Sequence, residues 1–258
     1  MTDYLRARHL CLVTEDLARA KRDIPFIFGV DLAYTDPEVD VFGIENALFT
    51  CGLSLLEIAQ PIVPPAATRR FLDQSGGRGG YVIAINCSDP IERGRRANAL
   101  GVRTVADLDY VHGNFRAIQL HPKDCHGVML EFDHTVGGER LLGPLYAAGG
   151  AGWPASVNTS RTVGFTEAVM RTPDPGASAD LWSKMLDRPA VASDDGHRID
   201  MDMFALVFEA AAPGERAAFS AIGIKVKDPS VVLSAARDRG YLVSGNAIDL
   251  CGVTFRVT

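Results

Sequence analysis

Nowhere does the chain gather a run of lysine and arginine, and its formal net charge is -6. That excludes the phosphate-tracking surface on which nucleic-acid binding rests, so no nucleic acid is expected as a partner. Also lacking is an apolar stretch of membrane-spanning length, so no membrane partner is expected. The opening Met1-Thr2-Asp3-Tyr4-Leu5-Arg6 carries an early acid and no apolar run behind it, which reads against a secretory signal. The cysteines, Cys11, Cys51, Cys87, Cys125 and Cys251, are odd in number and include no CxxC pair. Free, mostly buried thiols in a reducing cytoplasm are expected. No Gly-x-Ser-x-Gly elbow occurs, and Cys125 beside His126 is adjacency along the chain, which does not make a dyad. The run Gly76-Gly77-Arg78-Gly79-Gly80 has no Lys-Ser/Thr after it and precedes a strand, so it reads as a connector and not as a phosphate loop.

What is present is an ordinary globular composition, 47% hydrophobic and 22% charged, in 258 residues. That suffices for one large domain or two of modest size. The chain also repeats itself. Tyr81-Val-Ile-Ala-Ile-Asn86 is followed by Asp89-Pro90 and then Gly101. Ala221-Ile-Gly-Ile-Lys-Val226 is followed at the same spacing by Asp228-Pro229 and Gly240. Asp suits a helix N-cap, Pro the first helical position and Gly the helix end. Each set leads later to a strand opening on glycine, Gly127-Val-Met-Leu-Glu-Phe132 and Gly252-Val-Thr-Phe-Arg-Val257. A second matched pair runs from His9 through Asp16 to Gly29 and from Glu167 through Asp174 to Asp187. These matches predict four related segments, each a strand, a helix and two or three more strands, over about 6–62, 79–134, 163–212 and 218–258. The last is short between Gly240 and Gly252, so a strand there is trimmed or lost. Gly137 to Ser160, with Gly149-Gly150-Ala151-Gly152-Trp153-Pro154, reads as a linker. The expected division is therefore a module over 1–136, a linker over 137–160 and a second module over 161–258. Short turns within segments predict mostly antiparallel sheets.

Alternation along strands assigns faces. His9, Cys11 and Val13 share one face of the first strand, while Leu10 and Leu12 meet the following helix. Glu57 sits in Leu55-Leu56-Glu57-Ile58-Ala59, and Glu131 shares a face with Met129 and Asp133. A carboxylate in an apolar strand is costly to bury unless paired or metal-bound. One His and two carboxylates at equivalent places suit a divalent ion such as Mg, Mn, Co, Fe or Zn.

His9-Leu-Cys-Leu-Val-Thr-Glu-Asp-Leu17 resembles the opening of vicinal-oxygen-chelate (glyoxalase-like) proteins, and Leu56-Glu-Ile-Ala-Gln-Pro61 resembles their fourth strand. Leu120-His-Pro-Lys-Asp-Cys-His-Gly-Val-Met-Leu-Glu-Phe132 resembles the final hairpin of methylmalonyl-CoA epimerases, and His112-Gly113 upstream has a counterpart there. The resemblance covers about 6–134; over 163–258 it is one of pattern alone. It implies an α+β fold of tandem βαβββ units in two glyoxalase-like modules with cupped sheets, each pair of units enclosing one metal place. Three ligand places fall on His9, Glu57 and Glu131; the fourth holds Val82, which cannot ligate, and Tyr81 is expected on the other face. Either three ligands and water hold the ion, or it is absent. In the second module the equivalent places read Glu167, a residue near Phe208, Ala221 and Arg256, with no metal expected and Glu167 and Arg256 able to pair.

The resemblance implies chemistry through a metal-bound enolate, with a carboxylate moving a proton next to a carbonyl. Glu131 and Glu57 are the expected catalytic carboxylates. Glu45, Asn46, Val82, His112 and His121 are secondary candidates to line the substrate site. The expected activity is an isomerase, epimerase or lyase on a small carbonyl or carboxylate compound, acyl-CoA among the classes, from a monomer or homodimer. The alternative is a metal-free small-molecule binder, as in resistance-type relatives. An extradiol-dioxygenase-like oxidoreductase ranks last, because the second module lacks that family's ligands.

Overall fold

A computed structural model of the protein describes residues 3–110, 114–145, 149–150, 152–193 and 195–258. Its order opens with β1 (Leu5–Val13), α1 (Leu17–Phe28), β2 (Leu32–Tyr34), β3 (Ile44–Cys51) and β4 (Ser54–Pro61), followed by α2 (Ala67–Ser75). Next come β5 (Gly80–Cys87), α3 (Pro90–Ala99), β6 (Thr104–Tyr110), β7 (Phe115–Leu120) and β8 (Met129–Thr135). After a 3-10 turn over Trp153–Ser156 come β9 (Thr162–Thr172), α4 (Pro175–Leu186), β10 (Ala190–Ser193), β11 (Gly196–Met201) and β12 (Phe204–Ala210). The last set is β13 (Ala218–Val226), α5 (Pro229–Asp238), β14 (Val243–Ser244), β15 (Ala247–Leu250) and β16 (Val253–Val257). Strand, helix and three strands therefore recur four times. The strand expected to be trimmed is the two-residue β14. Helix α2, in the joint after Pro61–Pro65, was not expected from the sequence.

The helices start and stop for the reasons read from their sequences. Asp16, Asp89, Asp174 and Asp228 each cap a helix by accepting a backbone N–H, from Arg19, Glu92, Ala177 and Ser230. Pro90, Pro175 and Pro229 occupy first-turn positions where no N–H bond is lost. Gly29 and Asp187 end α1 and α4 in the left-handed conformation, as C-terminal caps do.

In each set the first and last strands pair in parallel: β1 with β4, β5 with β8, β9 with β12 and β13 with β16. The remaining pairings within each set are antiparallel. This is an α+β glyoxalase-like fold with mostly antiparallel sheets, as expected.

By contact the chain forms two compact units. One comprises Met1–Arg8, Val82–Pro144 and Glu167–Ser220; the other comprises His9–Tyr81, Leu145–Thr166 and Ala221–Thr258. Both cut across the chain order on which the boundaries 1–136, 137–160 and 161–258 were drawn. The first unit is centred on Trp182, fully buried, with its indole N–H donating to the Cys125 carbonyl at 3.2 Å and its ring edge-on to Phe208. Arg93 of α3 donates to the Leu186 carbonyl at 2.7 Å and ties α3 to α4.

In the other unit Phe28 packs on Phe255, with ring centroids 5.3 Å apart. Part of the expected linker is core here. Leu145 and Trp153 are buried with Leu48 and Leu55, and Ala33, Tyr34 and Val157 close around them. Gly150, with φ +64, lies so close to the Tyr34 ring that any side chain would collide with it. The Gly-rich run has a similar cause at Gly79, where a Cβ would strike the carbonyls of Val13 and Cys251.

Replacing Trp182 with alanine is expected to cost about 3–5 kcal/mol, because a large buried side chain leaves a cavity that relaxes only partly. Urea unfolding followed by far-ultraviolet circular dichroism checks this; an unchanged midpoint would contradict the packing described.

Candidate active site

Strands β1, β3 and β4 bring polar side chains to one face. The β1–β4 register matches His9 with Leu55 and Cys11 with Glu57. The β3–β4 register sets Leu48 opposite Glu57 and Asn46 opposite Ala59. Partners across a pleated pair share a face, so the His9, Asn46 and Glu57 side chains emerge together among aliphatic neighbours.

His9 Nε2 lies 3.0 Å from Glu57 Oε2. The Asn46 amide donates to Glu57 Oε1 at 2.7 Å, and its own Oδ1 accepts from the Asp36 backbone N–H at 2.9 Å. That second bond fixes which end of the amide faces the carboxylate. The His9 and Glu57 side chains are only 15% and 12% exposed. Burial alone pushes the Glu57 carboxyl upward. The bond and charge from His9, then the bonds from Asn46 and Cys11, outweigh it and hold the carboxyl below its ordinary 4.5.

Tyr81, at the start of β5, packs its ring on Phe71 of α2, with centroids 4.9 Å apart. The Val13 N–H donates to the Gly79 carbonyl at 2.7 Å, which ties the approach to β5 to the end of β1. Burial first, then the Cys11 thiol and, least of all, the Glu57 carboxylate push the Tyr81 phenol to about 12, against the Arg70 cation, whose opposing effect exceeds that of Glu57.

The other candidates fall elsewhere. Glu45 is exposed and lies opposite Gln60, on the face away from Asn46. Its expected place at the site is therefore corrected, for the alternation that brings Asn46 in turns Glu45 out. Glu131, in the unit that holds Val82–Pro144, accepts from the Gln119 amide at 2.7 Å and pairs in register with Ala84. Val82 lies beside Met129 in the same sheet. His121 Nδ1 accepts from the Lys123 backbone N–H at 3.2 Å and holds the turn that Asp124 fastens to Arg103; its contacts are those of a turn residue. His112 lies outside the described residues. Glu167 pairs with Arg198 at 3.2 Å. Sequence reasoning missed Gln119, for which alternation on β7, paired with β8, was the signal.

The divalent ion implied by the resemblance can be tested against these donors. His9 Nε2 and Glu57 Oε2 already meet each other, and Asn46 occupies Oε1. Among the described residues no group of three or more His, Cys, Asp or Glu side chains is placed to hold a metal ion. A two-donor pair falls short of the protein ligand sets that hold such ions. The donor set does not fit a metal centre.

No protein-family model matches the chain. No curated protein matches it. Among solved structures, a hypothetical protein from Staphylococcus aureus is 12% identical, covers 98% of this chain and 99% of its own, and superposes with a TM-score of 0.67. Methylmalonyl-CoA epimerase from Streptomyces coelicolor, in complex with 2-nitronate-propionyl-CoA, is 24% identical over 50% of this chain and 96% of its own, with a TM-score of 0.45. The epimerase from Mycobacterium tuberculosis is 26% identical over 49% and 85%, with a TM-score of 0.43. The whole-length likeness bears on the fold alone.

Glu57 should leave a mark on acid stability. Its folded carboxyl gives up its proton more readily than the unfolded one, so unfolding takes up a proton in acid. The stabilisation is complete above the ordinary 4.5 and is lost as pH falls through the lower, folded value. Urea midpoints measured from pH 7 down to pH 3 should fall more steeply for the parent than for Glu57→Gln; parallel profiles would contradict the pairing.

Proposed function

We propose that the chain is an isomerase or epimerase that moves a proton on the carbon next to a carbonyl or carboxylate of a small molecule, acyl-CoA thioesters among the candidate classes. The observation that supports this most is the Glu57 carboxylate, held by Asn46 and His9 on an otherwise apolar face. Lyase chemistry through the same enolate belongs to the same scheme.

A carboxylate held below the ordinary range is ionised at neutral pH, ready to take a proton and modest in its pull on it. As the substrate C–H bond breaks, its proton passes to Glu57 and its electron pair forms the enolate. Protonation weakens the bonds that Glu57 accepts from Asn46 and His9, which favours return of the proton. Return to the other face of the carbon gives the epimer; return to a neighbouring carbon gives the isomer. No step above uses a divalent ion, which the donors of this unit do not fit.

A second reading, a metal-free binder of small apolar ligands, is favoured by one feature. Leu48 and Leu55, beside Glu57, form an apolar wall with Trp153, and Glu57 is bonded to protein groups as such a binder requires.

Solvent exchange separates the readings. Incubation of 2-oxo acids, hydroxyketones and short acyl-CoA thioesters in D2O, followed by proton NMR, should reveal catalysed exchange next to the carbonyl. Glu57→Gln should lower it by at least about 100-fold, the usual worth of a general base. Glu131→Gln in the same assay tests Glu131 as a further base. Exchange should also survive dialysis against EDTA; loss restored by added Mn or Co would return the metal to the reaction. No exchange by any compound, with saturable binding of an aromatic ligand, would leave the binding reading.

A further inference from the structure

The face that carries His9 and Glu57 is closed at one end by the segment expected to be a linker. In one row across the strands Thr50 stands opposite Leu55, and Leu55 opposite His9. In the next row Leu48 stands opposite Glu57, and Glu57 opposite Cys11. Partners in a row have Cβ atoms about 5 Å apart, and rows follow each other at about 7 Å along the strands. Leu48 and Leu55 are thus immediate neighbours of Glu57, one across the pair and one along its own strand. Both are buried in one cluster with Leu145 and Trp153. The Gly149 backbone lies against that cluster, for a Cβ there would meet Leu55 Cδ1 at 3.1 Å and Trp153 Cβ at 3.0 Å. The Thr50 hydroxyl donates to the Ser156 carbonyl, and the Ser156 hydroxyl donates to the Trp153 carbonyl at 2.7 Å. The Trp153–Ser156 turn is therefore fastened to the row that holds His9. Leu48, Leu55, Thr50 and Trp153 are sealed from water, whereas the His9 and Glu57 side chains keep some contact with it. A molecule that reaches Glu57 enters from the open side and meets Leu48, Leu55 and Trp153 as its far wall.

We propose that Trp153 determines substrate size: packed with the two neighbours of Glu57, it limits the group carried on the reacting carbon to about methyl or ethyl. The inference rests on the proton-transfer reading and names its substrate class, short-chain carbonyl compounds, whether 2-oxo acids or acyl thioesters. A carbon whose proton passes to Glu57 lies within hydrogen-bond reach of that carboxylate. About one row then separates it from the Trp153 cluster. The wall cannot retreat, because Leu145 packs with Trp153 and Ala33, Tyr34 and Val157 close around the cluster. In so closely packed a place each further methylene has to displace a side chain or stay out. A smaller residue at 153 would leave apolar, dry space beside Leu48 and Leu55, and apolar groups enter such space.

The test uses 2-oxobutanoate, 2-oxopentanoate and 2-oxooctanoate, which carry methyl, ethyl and pentyl groups on the exchanging carbon and are otherwise alike. For the parent, kcat/KM for exchange in D2O should fall by at least about 10-fold from the ethyl to the pentyl compound. Trp153→Leu should raise the pentyl-to-methyl ratio by about 10- to 100-fold, the discrimination that methylenes give in an apolar pocket. Trp153→Phe removes less and should move the ratio in the same direction; it carries the comparison if the leucine variant does not fold, which far-ultraviolet circular dichroism reports. Binding is read separately by calorimetry with the same three acids, in Glu57→Gln with and without Trp153→Leu. There the double variant should favour the pentyl compound by about 10-fold more than Glu57→Gln does. Where the parent exchanges, the exchange ratio decides, and an unchanged ratio overturns the role of Trp153 alone. Where it does not, the proton-transfer reading falls and the binding ratio decides whether the wall stands. Neither exchange nor binding of any of the three acids at millimolar concentration overturns both.

Discussion

A carboxylate set beside Leu48, Leu55 and Ala59 has to be met by donors, and the rest of the site follows from how that is done. Glu57 takes one bond from the Asn46 amide and meets the His9 imidazole on its other oxygen. The amide is itself aimed by the Asp36 backbone N–H, so the loop before β3 reaches into the site through one side chain. Removing any member leaves a polar group stranded in apolar surroundings, where it costs more than the bond it made. The β3–β4 register is held to the same standard. A slip of one residue would send Glu57 and Asn46 to opposite faces.

Much of the fold could be read from residue patterns because local rules acted alone. The aspartate caps, the proline starts and the left-handed stops at Gly29 and Asp187 are chemistry of a few adjacent residues, and they mark α1 and α3–α5 closely. Helix α2 escaped because its N-cap position, Ala66, makes no side-chain cap bond. The segment 137–160 looked like a connector because glycine and proline are common there. Its apolar residues, Leu145 and Trp153, were the better guide, and they are buried.

The site was legible to the extent that it lies on neighbouring strands. Alternation put His9 and Glu57 on faces that could meet, and the parallel β1–β4 register brings them together. It also brought in Asn46, and by the same rule carried Glu45 outward. What alternation cannot give is which strands belong to one compact unit, and Glu131 depends on that: it falls in the unit made of Met1–Arg8, Val82–Pro144 and Glu167–Ser220, whereas His9 and Glu57 belong to the other.

The composition of the compact units has a consequence for biosynthesis. The unit containing His9 and Glu57 draws its last strands from Ala221–Thr258. β1, β3 and β4 can pair early, but the unit they belong to stays incomplete until Ala221–Thr258 has been made. Contacts of such long sequence separation close slowly, because the loop entropy is spent before they form. Until those late strands emerge, the apolar faces of β1, β3 and β4 lack their partners from Ala221–Thr258, a condition that favours association between unfinished chains.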